Sequence, residues 1–270
     1  MHTPNLRIQD GAKIHLLCSN CENKISSWEK MFHKNIFLPL HDKTKQITSI
    51  RYGPWFLKFA TSISFRVLTH YYRLHGLPHF LEKQRGIAQI ASNTWRDFLL
   101  VKLTDPGQFE QHFIPVDAIQ HYTGTSISPY LNRYLLRTIH MDIICSQTSA
   151  MVYTKMGHLI LFGFIQNRSP KRWKGTKIHV NKGLITHRNY QIPQSIAEYW
   201  NEKANESHRA LDSISSKQKK RIQQSILNNA DKLVDSEVFR AIQFDVYHSG
   251  RRAFSAPDLE NDNTTTKSHK

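Results

Sequence analysis

Residues 149–165 read SAMVYTKMGHLILFGFI. Met156-Gly157 falls midway between two apolar runs and predicts a hairpin turn there. The second run is apolar on both faces, as in a strand covered on both sides. Upstream, Ile139, Met141, Ile143 and Cys145 alternate with Thr138, His140, Asp142 and Ile144. A period of two marks a strand. Three strands in succession predict an antiparallel meander, and residues 177–180 add a fourth strand.

On either side the period becomes helical. A short strand at 13–17 leads into a helix over 18–36. Trp55, Phe56, Phe59, Ile63, Val67 and Tyr71 recur at three- and four-residue steps, with apolar residues on several sides. The helix over 52–72 is therefore expected to be central. Another spans 81–103 and stops at Thr104-Asp105-Pro106-Gly107, a turn signal. Helices follow over 195–209, 215–231 and 236–247, and Ser195/Glu198 and Ser215/Gln218 have capping-box spacing. The expected fold class is α+β. A mainly helical body over 43–255 holds the small sheet at about 131–180, after a partial zinc-knuckle segment at 1–42 and before a polar, disordered tail at 256–270.

Composition narrows the function. Of 270 residues, 39% are hydrophobic and 11% aromatic, enough for a filled core. Three cysteines cannot make a disulfide framework and suit a reducing cytosol. The opening MHTPNLRIQD has no apolar signal core, and no run of about 18 apolar residues exists to span a membrane. A cytoplasmic protein is expected. The formal net charge of +16 favours a polyanion, with DNA or RNA the expected partner. Between Asp142 and Glu198 there is no acidic residue, but eight lysines and arginines. The densest part, NRSPKRWKGTKIHVNKG at 167–183, carries Arg168, Lys171, Arg172, Lys174, Lys177 and Lys182 around Trp173. Cations there suit a phosphate backbone and an exposed indole suits a stacked base. The alternative is a solvated loop with Trp173 folded back onto the sheet. A second cluster, Lys217, Lys219, Lys220 and Arg221, opens a helix, where cations oppose the helix dipole.

Two groups suggest chemistry. His140 and Asp142 share a strand face and could share a metal, or simply a structural hydrogen bond. With Lys155 on the next strand they partly match a restriction-nuclease core, but that core needs an acid two residues before the lysine, where Tyr153 stands. No phosphate-binding loop, nucleophile elbow or HExxH is present. The second group is Cys18-x-x-Cys21, within HLLCSNCENKIS at 15–26. Two thiolates at this spacing are half of a tetrahedral zinc site. His15, Glu22, His33 or a partner chain could complete it. The pair could also be the remnant of a longer gene product, or two ordinary thiols.

HLLCSNCENKIS resembles the second knuckle of the treble-clef finger in HNH-type nucleases, where Leu-Cys-x-x-Cys precedes a helix. The runs FLKFATSISFRVL, YLLRTIHMDI and WKGTKIH extend the resemblance over most of the chain, to bacterial proteins with such a finger at the N-terminus. It implies zinc held by Cys18 and Cys21. In that family an earlier CxxC supplies two more ligands, and a His-rich segment supplies the catalytic base and metal site. Neither precedes Cys18 in this sequence. The expected function is therefore nucleic-acid binding of the HNH-endonuclease-associated type, without catalysis by this chain alone. The alternatives are a divalent-metal-dependent nuclease or nuclease subunit using His140, Asp142 and Lys155, and a protein-interaction module whose basic surface meets an acidic partner.

Overall fold

The computed structural model describes residues 16–42, 49–78, 80–119, 127–186, 190–234 and 236–254. Most of the expected strand at 13–17, the candidate ligand His15 and the tail at 256–270 lie outside these residues. The chain forms two compact units, Met1–Asp117 with Leu135–Ala197, and Ala118–Tyr134 with Glu198–Lys270. The fold is α+β.

The first unit is built on a four-stranded antiparallel sheet of β2 (Gln111–Pro115), β3 (Ile139–Cys145), β4 (Ser149–Met156) and β5 (Leu159–Asn167), in the order β2-β5-β4-β3. The meander β3-β4-β5 is as expected. Gly157 makes its second turn with φ 61°, a conformation glycine adopts freely. The fourth strand differs from expectation: it is β2, not residues 177–180. Gln111 and His112 hide β2 from any hydrophobic pattern, yet the whole strand is buried. The segment expected to be a strand only skirts the outer edge of β2. Phe113 N donates to Thr176 O and Ile178 N to Gln111 O, both at 2.8 Å, around a single bridge between His112 and Lys177. One residue later His179 N turns to the Tyr52 hydroxyl (3.0 Å), which ends the pairing. β3 forms the opposite edge. Its carbonyl at Met141 accepts from the Tyr71 hydroxyl, and its amide at Ile143 donates to the Asp142 carboxylate, each at 2.8 Å. Ile139 on this edge is 85% exposed and Met141 47%.

Helix α3 (Pro54–His75) lies across the sheet. Gly53 and Pro54 open it and Gly76, at φ 62°, closes it. Its Ser64 side chain comes so close to β5 that a Cβ at Gly163 would fall 2.2 Å from Ser64 Oγ. Ser64 instead donates to Gln111 Oε1 at 2.7 Å, satisfying a buried amide oxygen. Phe56 and Phe59 of α3 meet Phe113, Leu159 and Leu161 of the sheet. Phe32 of α1 (Ser19–Phe32) joins them, its ring 4.0 Å from that of Phe59. The expected helix at 18–36 continues through a π-helical turn, His33–Phe37, into α2 (Leu38–His41). Helix α4 (Glu82–Leu99) packs Trp95 with Phe109, Val152 and Ile165, and the indole N–H donates to Phe109 O (3.0 Å). It ends four residues before the expected 103, because Val101 enters the left-handed region at φ 64°. A two-stranded ladder of β1 (Ser49–Tyr52) and β6 (Gly183–Thr186), not expected from the sequence, completes the unit.

Helices carry the second unit. α5 (Leu131–Arg137) and α6 (Gln194–Asp212) each cross a unit boundary, and α7 (Ser216–Asn228), α8 (Ala230–Val234) and α9 (Glu237–Ser249) follow. Asp245 of α9 is buried and accepts from Asn132 N (2.8 Å), Arg133 N (3.2 Å) and Arg133 Nε (2.8 Å). Burial pushes its pKa up, against those donors. Ser215 caps α7 as expected, accepting from Gln218 N. Ser195 does not cap α6. That helix starts one residue earlier, at Gln194, so Ser195 lies in its first turn. No helix among the described residues is long and apolar enough to cross a membrane.

Candidate nucleic-acid interface

After β5 the chain enters the basic loop. Its side chains divide by direction: Trp173, Thr176 and Ile178 are buried, while Arg168, Lys171, Arg172, Lys174, Lys177 and Lys182 are exposed. Trp173 is 8% exposed, so it is not a platform for a base. Its ring stands edge-on to Phe162 and Phe164, 4.9 Å from each, and 5.6 Å from His112. The indole thus takes the second of the two places open to it, against the sheet. Lys174 and Gln191 exchange backbone hydrogen bonds of 3.1 and 2.9 Å, which tie the loop from its other side.

Beneath the loop lies a polar brace. His112 is 2% exposed, with Nδ1 2.7 Å from Thr176 Oγ1 and Nε2 3.2 Å from Glu110 Oε2. Burial holds the imidazole pKa below its ordinary value, so the ring is neutral. The Thr176 hydroxyl then donates to Nδ1, and Nε2–H donates to Glu110. The hydrogen bond from His112, helped by Lys177 at 2.5 Å, brings the Glu110 pKa down to about 2. Hydroxyl, imidazole and carboxylate have the connectivity of a nucleophilic triad. Thr176, however, is buried with its hydroxyl turned to the ring, and the set fastens the loop to β2. Sequence reasoning missed Glu110 and His112. Their signal was the two-residue spacing that puts both on one strand face.

Lys177 is engaged by Glu110, whereas among the described residues Arg168, Lys171, Arg172, Lys174 and Lys182 make no ion pair. The chain matches no family model, no curated protein and no solved structure. The case for this surface therefore rests on its own geometry.

The other predicted site residues are dispersed. Lys219, Lys220 and Arg221 are exposed on α7, a helix with no buried residue, in the second unit. His140 lies opposite Lys155 in the β3–β4 register, with its ring edge-on to Tyr153 at 5.8 Å. Lys155 is fully buried. Its Nζ donates to Thr138 O (2.9 Å) and Gly157 O (2.6 Å), and burial brings its pKa down to about 7. Asp142 accepts from the Ile143 amide. The Lys155 bonds tie the start of β3 to the β4–β5 turn, while Asp142 lines a cavity with Tyr71, His75 and Phe80.

Cys18 caps α1 from an extended backbone (φ −80°, ψ 161°) and is exposed, with Cys21 half-buried one turn on. The Cys18 side chain makes no capping hydrogen bond, and its nearness to the Cys21 backbone and thiol lowers the Cys18 pKa while raising that of Cys21. Among the described residues no three His, Cys, Asp or Glu side chains converge on a common point. His33 sits twelve residues beyond Cys21, about 18 Å along the helix axis, and does not complete the pair.

Proposed function

We propose that this chain binds DNA or RNA through the phosphate backbone, with little sequence preference and without cutting it, and that residues 168–182 are the contact surface. One observation carries this reading. Five exposed cations that make no ion pair among the described residues stand on a loop fixed to the sheet by Trp173, Thr176 and Ile178. Cations held in place lose less side-chain and loop entropy on meeting a phosphate track than cations on a free loop. The absence of acids from 143 to 197 keeps local repulsion of phosphate low. Lys219, Lys220 and Arg221, exposed on α7, give the other unit a basic face of its own. Lys155 donates to two backbone carbonyls, which weighs against its use in the strand-face nuclease set.

Titration of labelled single- and double-stranded oligonucleotides across a salt series tests the proposal. Each engaged cation contributes about 0.7–0.9 to the slope of log affinity against log salt. Lys171, Arg172 and Lys174 changed together to alanine should therefore flatten the slope by about 2–3 and weaken every sequence alike. Binding unmoved by the triple change would overturn the assignment of this loop. No binding at low salt would overturn the function.

A further inference from the structure

We propose that Cys18 and Cys21 form a thiol–disulfide exchange site, and that the apolar cavity beside them seats an aromatic, carboxylate-bearing flank of the disulfide they reduce. Three observations support this. The two thiols lie one turn apart at the opening of α1, so an S–S bond between them closes a short ring without refolding the helix. The outer sulfur, Cys18, is the exposed one and stands at the N-terminus of α1, where the helix dipole favours thiolate over thiol. A cavity of about 280 Å³ opens directly on both cysteines; Trp28 and Phe65 give it an aromatic wall, and Lys24 and Arg96 supply positive charge. A zinc knuckle would need two further ligands, and none converges among the described residues. The third cysteine, Cys145, lies elsewhere, on the edge strand β3, with its thiol pKa pushed up by burial.

The exchange balances with one substrate disulfide. The Cys18 thiolate attacks one sulfur of the substrate, the substrate S–S bond breaks, and the first thiolate leaves. Cys21 gives its proton to solvent and attacks the Cys18 sulfur, which expels the second thiolate. The chain ends as a Cys18–Cys21 disulfide, two electrons having passed to the substrate. A dithiol reductant restores the starting state by the reverse exchange.

The probe is bis(nitrocarboxyphenyl) disulfide, which carries an aromatic ring and a carboxylate on each sulfur. Added to the reduced full chain, it should release two aryl thiolates in a fast phase. The intact mass should then be two hydrogens lower, without an aryl adduct. Cys21→Ser should halt at one aryl adduct on Cys18, and Cys18→Ser should abolish the fast phase. Trp28→Ala should slow the first step about tenfold through lost apolar contact. Arg96→Gln, a change at the rim, does the same with less risk to the fold, and circular dichroism checks both variants. Cystamine, a cationic aliphatic disulfide, should react more slowly than the aryl probe. Equal rates for the two disulfides would overturn the role of the cavity. Stable aryl adducts on both cysteines would overturn the exchange site. So would near-stoichiometric zinc that blocks reaction until a chelator is added.

Discussion

Lys155 stands inside the first unit and donates to the carbonyl oxygens of Thr138 and Gly157. Its pKa of about 7 lies below the ordinary 10.5, so between these values the folded chain holds fewer protons than the unfolded one. Stability therefore rises with pH across that window, and below about 7 the cost of the buried cation is present in full. Lys155→Met should flatten this part of the profile, as read from melting temperatures between about pH 6 and 10. Gly163 is the second residue whose environment dictates it. Alanine there would put its methyl 2.2 Å from Ser64 Oγ and 2.6 Å from Ser64 Cβ, so α3 must lift off β5. Gly163→Ala should cost about 1–3 kcal/mol, measured by denaturant titration. Gly163→Ala combined with Ser64→Ala should recover part of that loss.

At the scale of elements, the basic loop separates two roles that lie side by side in sequence. Trp173→Ala removes the anchor, not a base contact. It should lower stability by about 3 kcal/mol and weaken single- and double-stranded targets equally. The triple alanine change of the neighbouring cations should leave the melting temperature nearly unmoved. The brace under the loop adds a signature in acid. His112 has a lowered pKa, so stability falls once pH drops below the ordinary 6.5. Glu110 contributes stability above its ordinary 4.5 that is lost as pH falls through about 2. Glu110→Gln should remove the lower part of that decline, leaving the His112 part, in melts from neutral pH down into the acid range. The exposed cations are legible in sequence because acids are missing around them. The brace is not, since Glu110 and Thr176 meet only through the pairing of 176–178 with β2. Strand β5 is legible because both its faces are apolar. β2 is not, because its polar Gln111 Oε1 and His112 find hydrogen-bond partners far away in sequence. β1 and β6, four residues each, are too short for a period to declare itself. The cysteine pair at a helix start is visible in the sequence, but the cavity beside it depends on Phe65 and Arg96 from α3 and α4.

For the whole molecule, a net charge of +16 acts on every equilibrium at once. Like charges repel within the folded chain, and salt screens that repulsion. Melting temperature should therefore rise from low to moderate salt, while affinity for nucleic acid falls over the same range. A melting temperature that falls instead would mean that attractive pairs such as Arg133–Asp245 outweigh the repulsion. The charge also bears on how copies of the chain treat one another. β3 ends the sheet with Ile139 and Met141 in water, and such a margin invites a second chain to add its own strand and start an aggregate. The Tyr71 hydroxyl on the Met141 carbonyl and the Asp142 carboxylate on the Ile143 amide occupy two of the groups such a strand would use. Net repulsion keeps copies apart at low salt, and these two bonds matter most when salt removes it. Tyr71→Phe should thus leave the protein clear at low ionic strength yet turbid on warming at high ionic strength, under conditions where the parent chain stays clear. Light scattering reads the difference, and a lysine in place of Ile139 should restore solubility to the Tyr71→Phe chain.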